Sequence, residues 1–227
     1  MDVIVLDGAE AVAAHVAGLV LDAVAQRPEL VLGVATGATP LAVYRHLAGA
    51  EGDFSRVRVV ALDEYVGLPT GHPGSYAAYV AREIAGPLDI PPESVVVPWG
   101  SGADLERRIA ELGGVDVQLL GIGRNGHLAF NEPGSPLDSR TRVVELTEST
   151  RAANAAYVDG RVPTHAITQG LGTILEAGEL VLLATGAPKA AAVAAALSGP
   201  VTEDCPASVV QRHPRVTVVL DRAAAQC

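Results

Sequence analysis

Short β-branched runs alternate with amphipathic helical stretches along the whole of this chain, and that rhythm leaves few folds open. Val3–Leu6, Leu30–Val34, Val57–Leu62, Val95–Val97, Val115–Leu120, Arg142–Leu146, Leu180–Ala184 and Val216–Leu220 read as strands. Between them, Glu10–Gln26, Leu41–Leu47, Ala103–Leu112, Ser149–Tyr157, Leu171–Ala177 and Lys189–Leu197 carry helical periodicity, and Ser75 reads as the N-cap of a helix through Ile84. Strands that alternate with helices imply βαβ crossovers and a mainly parallel sheet, so the fold class is α/β. Only 4% of the residues are aromatic while 49% are apolar, so the core must be built from Ala, Val, Leu and Ile. That mixture suits strands buried on both faces under Ala-rich helices. No Ser-rich linker or shift of composition interrupts residues 1–227, which predicts one domain.

The formal net charge of −10 argues against nucleic acid as a partner, because phosphate-backbone binding needs clustered Lys and Arg. It also means that an anionic ligand must be held by local devices, namely backbone amides, helix N-termini and a few placed cations. Cys205 and Cys227 have no metal-ligand spacing, and reduced thiols are expected. Asp2 and Asp7 stand where a secretion signal would be basic. The Ala-rich stretches are broken by His15, Asp22 and Lys189, which predicts no membrane span of ~18 apolar residues and a cytoplasmic protein.

In such folds ligands sit beyond the carboxyl ends of the strands, so the residues that follow each strand matter most. Thr36-Gly-Ala-Thr-Pro40 joins a buried strand to a helix and offers two hydroxyls, a flexible Gly37 and free N–H groups, a usable phosphate cradle. It lacks the Gly-Lys-Ser/Thr ending of a Walker A loop, and many strand-to-helix turns share its composition. Leu30–Pro40 is echoed at Leu180–Lys189, where a second Thr-Gly loop precedes Lys189. Asp63 and Glu64 follow Val57–Leu62. A carboxylate at a buried strand end is partly desolvated and suited to proton transfer, although a turn-capping surface Asp fits the same residues.

Gly121-Ile-Gly-Arg-Asn-Gly126 satisfies Gly-x-Gly-x-x-Gly, but a dinucleotide site needs a helix to open at the third glycine. The following His127-Leu-Ala-Phe-Asn-Glu-Pro133-Gly134 is too short and too punctuated for one, which argues against a nucleotide cofactor. The same loop sets His127 and Glu132 beside Asn125 and Asn131, the makings of an acid/base pair that is tunable near neutral pH.

Together these segments resemble the glucosamine-6-phosphate deaminase family along almost the whole chain. The resemblance lies in Thr36–Pro40, in Leu62-Asp-Glu-Tyr-Val-Gly-Leu-Pro69 with His72-Pro73 and Ser75-Tyr76, and in Gly126-His-Leu-Ala-Phe-Asn-Glu-Pro133. It continues in Ser139-Arg-Thr-Arg142 and Ala184-Thr-Gly-Ala-Pro-Lys189. It implies a Rossmann-like three-layer α/β/α fold and an aldose–ketose isomerisation coupled to loss of ammonia, with no cofactor and no metal. Asp63 would move the proton between C2 and C1. His127 would open the sugar ring, with Glu132 orienting and charging it. Thr36, Gly37, Ala38, Thr39 and Lys189 would hold the 6-phosphate.

Three departures stand out. Several members have Asp where this chain has Asn125, although other relatives share the Asn. An Arg that helps to clamp the phosphate in many members is matched by Ala156, leaving Arg151 or Arg161 as substitutes. Allosterically activated hexamers carry Lys where Val144 stands. The resemblance favours glucosamine 6-phosphate as substrate and leaves galactosamine 6-phosphate as the near alternative, with the enzyme either a monomer or a homo-oligomer. A 6-phosphogluconolactonase-type hydrolase would follow Gly-His with Thr-Ala-Ser-Leu-Phe, unlike Leu128–Glu132. A sugar-phosphate sensor would place a helix-turn-helix ahead of the first strand, whereas this chain enters that strand at Val3.

Overall fold

A computed structural model describes residues 1–155, 158 and 162–226. Its large sheet has seven strands, β1 (Asp2–Leu6), β2 (Val31–Val34), β3 (Arg58–Ala61), β5 (Val95–Val96), β6 (Val117–Gly121), β9 (Glu179–Ala184) and β10 (Val216–Asp221). Their order is β1-β10-β9-β6-β2-β3-β5, and every neighbouring pair is parallel. Alternate side chains of one strand go to opposite faces. Leu32, Val34, Val59, Leu119, Val181 and Val219 pack on one side with α1 (Ala9–Gln26), α2 (Ala38–Ala48) and Val80 of α3 (Tyr76–Val80). Val31, Val60, Leu120, Leu182 and Val218 pack on the other with α4 (Ala103–Glu111), α6 (Leu171–Ile174) and α7 (Ala190–Ser198). The three-layer α/β/α arrangement is therefore as the sequence implies.

Several bounds differ from the sequence reading. The helix capped by Ser75, whose Oγ accepts the Ala78 N–H at 3.1 Å, widens into a π turn over Ala81–Ala85 before it ends. Helix α2 starts three residues early, so Pro40 is its third residue, still in the first turn where no intrahelical N–H is needed. A 3-10 turn over Ala187–Lys189 precedes α7, and another, Pro206–Arg212, packs beside it. Helix α5 (Glu148–Asn154) is capped by Thr147, while Ala156, Tyr157, Arg161 and Cys227 lie outside the described residues. Cys205 is buried and free.

Helix α1 also overturns the expectation that no stretch reaches membrane-spanning length, for it has 18 residues and a mean hydropathy of 1.3. Its stripe Val12, Ala13, Val16, Ala17, Val20 and Val24 is nonetheless packed into the core against the sheet. Amphipathic packing in a core, not insertion, explains its composition.

The sequence reading missed a second sheet. Strands β4 (Asp63–Tyr65), β7 (Arg142–Glu145) and β8 (His165–Thr168) pair antiparallel in the order β4-β8-β7. The chain thus leaves the large sheet after Ala61 and enters the small one at Asp63, so the residues read as following a strand begin another. A separate apolar cluster of Tyr65, Phe130, Leu146 and Ala166 lines this sheet.

Candidate active site

Strand order reverses between β2 and β6: successive neighbours run β3 and β5 to one side and β9, β10 and β1 to the other. Such a switch point opens a crevice beyond the strand ends, because the loops leaving it diverge. The Thr36 loop leaves β2 here and the Gly121–Glu132 loop leaves β6.

At the first loop, Gly37 adopts φ 113°, a conformation that favours glycine, and no side chain caps the α2 N-terminus. No atom lies within 4 Å of where a Cβ on Gly37 would stand, so the turn is open above it. Buried Tyr44 pins the strand end by donating to the Ala35 carbonyl at 2.7 Å and accepting its N–H at 3.1 Å. The echo loop after β9 faces it, with Thr185 Oγ1 3.3 Å from Thr39 Oγ1. Gly186, at φ 89°, donates its N–H to Asp221 at 2.9 Å. Lys189 is half-buried and donates to the Ile122 carbonyl at 2.6 Å, which draws it onto the β6 loop. Burial, and then the charge of Arg124, hold its ammonium below the ordinary lysine range. Two cations and two turn N-termini therefore share one small region of an acidic protein.

Asp63 is only 5% exposed. Burial first, and the neighbouring Glu64 second, push its carboxyl up to about 8. The two acids have different jobs in the structure. Glu64 accepts the backbone N–H groups of Tyr65 at 2.7 Å, Tyr76 at 3.0 Å and Ala77 at 2.7 Å, so it fixes the start of α3 and is fully engaged. No side chain competes for Asp63 among the bonds of the described residues. Helix α3 reaches the Thr36 loop through Tyr79, whose hydroxyl donates to the Gly37 carbonyl at 3.3 Å. The Tyr76 hydroxyl stands 3.4 Å from that of Tyr65, and burial with the Asp63 charge raises it. Its ring packs 4.9 Å from Tyr65 and 5.9 Å from Phe130, centroid to centroid.

The β6 loop closes tightly. Gly126 N–H meets the Gly123 carbonyl at 3.1 Å and Gly123 N–H meets the His127 carbonyl at 3.0 Å. A Cβ on Gly123 would fall 2.4 Å from the His127 ring, so the imidazole lies directly against the glycine backbone. His127 Nδ1 is 3.5 Å from Glu132 Oε2, too long for a formed hydrogen bond, and it has no hydrogen-bond partner among the described residues. Asn125 Nδ2 donates to that same oxygen at 2.7 Å, and the Thr150 hydroxyl of α5 donates to Oε1. His127, opposed by burial and helped by Thr150 and Asn125, holds Glu132 down at about 2, so it is a fixed negative charge.

Thr36, Gly37, Ala38, Thr39, Asp63, Asn125, His127, Glu132 and Lys189 all stand on or beside these strand ends and loops. Sequence reasoning missed Tyr76 and Thr150 as contributors, since only the three-dimensional fold brings them beside Asp63 and Glu132. Arg151 Nε is buried and has no hydrogen-bond partner among the described residues; Arg161 and Ala156 lie outside them. No group of three or more His, Cys, Asp or Glu among the described residues could hold a metal ion.

Comparison with known proteins bears on the fold and the family. Residues 7–219 match the family described as glucosamine-6-phosphate isomerases/6-phosphogluconolactonase. The glucosamine-6-phosphate deaminases of Streptomyces avermitilis and Arthrobacter sp. are each 49% identical, with 99% of this chain and 92% of theirs covered. A solved structure of a monomeric glucosamine-6-phosphate deaminase superposes with a TM-score of 0.95 at 40% identity, covering 99% of both chains. A 6-phosphogluconolactonase from Trypanosoma cruzi superposes at 0.80 with 20% identity over 99% of this chain and 95% of its own, a likeness of fold alone. With near-full coverage at these identities, this chain belongs to the glucosamine-6-phosphate deaminase family.

Proposed function

We propose that this protein isomerises and deaminates a hexosamine 6-phosphate, converting glucosamine 6-phosphate and water to fructose 6-phosphate and ammonia in the cytoplasm. The observation that carries the reading is Asp63. It is a buried carboxyl pushed up to about 8, beside Glu64, which anchors the start of α3, and α3 in turn reaches the open Gly37 turn through Tyr79. Removing a proton from the C2 carbon of an aminosugar needs a base of raised basicity, and desolvation supplies it.

In this reading Thr36, Gly37, Ala38, Thr39 and Lys189 hold the 6-phosphate, with N–H groups and one ammonium in place of a strong overall field. His127 exchanges a proton with the ring oxygen and opens the sugar. Glu132 stabilises the imidazolium form and Asn125 keeps the Glu132 carboxylate aligned. Asp63 then takes the C2 proton and returns one at C1, which leaves an imine that water hydrolyses to the ketose and ammonia. The 3.5 Å His127–Glu132 separation suits a pair that tightens as the ring oxygen is engaged.

The test is a panel of glucosamine, galactosamine and mannosamine 6-phosphates and 6-phosphogluconolactone, assayed for ammonia and for acid release. Ammonia from glucosamine 6-phosphate, at a higher kcat/KM than from its C4 epimer, is the expected result. Lactone hydrolysis without ammonia would overturn the reading.

A further inference from the structure

The end of β8 carries a buried polar junction that the chemistry above does not use. β8 lies between β4 and β7, and Thr168 stands opposite Asp63 on one side and Arg142 on the other. Directly opposed residues of antiparallel strands project to the same face, so Asp63, Thr168 and Arg142 form one row. Thr168 is completely buried, and its Oγ1 accepts the Phe130 N–H at 3.2 Å. Gln169, 1% exposed, grips the other side: its backbone N–H meets the Leu62 carbonyl at 2.7 Å and its Nε2 meets the Ala61 carbonyl at 3.1 Å. Those are the two residues immediately before Asp63.

The Gln169 carbonyl accepts the Asn131 side-chain amide at 2.8 Å. Asn131, also fully buried, closes on the Leu128 carbonyl at 3.0 Å and takes the Arg142 guanidinium on its Oδ1 at 2.8 Å. Leu128–Asn131 is the turn between His127 and Glu132, and it holds Ala129 at φ 51°, a left-handed conformation that a non-glycine residue adopts only when its surroundings impose it. Two consecutive residues therefore bond both the strand that delivers Asp63 and the strained turn that delivers His127 and Glu132. Buried, with little water to substitute, such bonds hold their partners to one geometry.

We propose that Thr168 and Gln169 are positioning residues that set Asp63 against the His127–Glu132 pair, so that ring opening and proton transfer act on one bound sugar. The inference rests on the deaminase reading. Both side chains are buried and bonded to backbone groups, so their loss acts through geometry. A displacement of ~1 Å of a reacting group lowers a rate by ~10²-fold.

Thr168→Val keeps the shape and removes the acceptor for the Phe130 N–H, and Thr168→Ser restores it. The expected result for Thr168→Val is a kcat lowered ~10–100-fold with KM within ~3-fold of the parent, and for Thr168→Ser a kcat within ~3-fold. Amide hydrogen exchange, measured without substrate, should show Phe130 and Asn131 exchanging faster in Thr168→Val while Leu119 in β6 keeps its protection. Should Thr168→Val fail to fold, Gln169→Leu, which removes only the donor to Ala61, must show the same split between kcat and KM. Parental kcat in a folded Thr168→Val, unchanged Phe130 exchange, or equal losses in the Val and Ser variants would overturn the proposal. A parent protein that releases no ammonia from any hexosamine 6-phosphate would sink the deaminase reading instead, and Phe130 exchange would still decide whether Thr168 clamps the turn.

Discussion

Replacing Asp63 by Asn should stabilise the protein while removing its chemistry. In the unfolded chain this carboxyl ionises at its ordinary value of 3.8, whereas in the folded protein burial and Glu64 hold it up to about 8. A raised folded-state value means that the native state binds a proton the unfolded state has released. The stabilising contribution of that proton is complete below pH 3.8 and is lost as pH rises through about 8. Each pH unit in that window lowers stability by about 1.4 kcal/mol, so the loss by pH 7 reaches about 4 kcal/mol. Local relaxation and water entry make this an upper limit. Against a total stability of ~5–15 kcal/mol it is a large share.

Asn has nearly the same size and no ionisation, so Asp63→Asn escapes the loss. Denaturant unfolding of parent and variant at pH 5, 6, 7 and 8 should show a gap in favour of the variant that widens with pH. Ammonia release and solvent-hydrogen exchange at C1 and C2 should fall ~10²–10⁴-fold with little change in ligand affinity. In the parent enzyme kcat/KM should climb as pH approaches about 8, where the base form appears. A gap that does not change with pH, or a variant less stable at pH 7, would mean that the Asp63 charge is compensated and the reasoning wrong. Near-parental C2 exchange in Asp63→Asn would move the base elsewhere.

Four other outcomes follow from the same geometry. Lys189→Ala should raise KM for phosphorylated sugars at least ~10-fold, the loss of a charge-assisted bond, with kcat less affected; an unchanged KM would remove Lys189 from the phosphate site. His127→Gln should slow turnover of the closed-ring sugar while sparing an open-chain substrate, checked by comparing the two directly. Gly123→Ala places a methyl 2.4 Å from the His127 ring and should lower kcat ~10-fold or more with the fold retained by circular dichroism. Glu64→Gln weakens three backbone contacts at the start of α3 and should lower stability by about 1 kcal/mol, with kcat reduced less than in Asp63→Asn.

The parallel sheet was legible because its strands are buried on both faces and read as unbroken apolar runs, as in Val31–Val34 and Val117–Leu120. Of the small sheet only Arg142–Leu146 was legible as a strand, for a physical reason. Asp63-Glu64-Tyr65 has no apolar alternation, and its partner Thr168 lies over a hundred residues away in sequence. The run His165-Ala-Ile-Thr168, bounded by Pro163 and Gly170, carried a weak strand signal that its brevity hid. Asp63, His127 and Glu132 stand out as candidates because dense polar residues after an apolar strand are anomalous. Tyr76, Thr150, Thr168 and Gln169 look ordinary in sequence, and their meaning comes only from what long-range pairing sets beside them.

That division bears on how the site works. The large sheet presents the Thr36 loop and the loop after β6 at its switch point, and its central strand ends are rigid because both faces are packed. It cannot by itself aim a carboxylate at a ring opened beside it, since successive strand-end loops diverge. The chain solves this by turning out of the large sheet at Asp63 and pairing that residue with Thr168 and, through it, Arg142 in a second sheet. The second sheet is small and its apolar cluster modest, so its geometry depends on buried hydrogen bonds more than on area. Substitutions in the large core should therefore lower stability before they change kcat. Substitutions among Thr168, Gln169 and Asn131 should change kcat first.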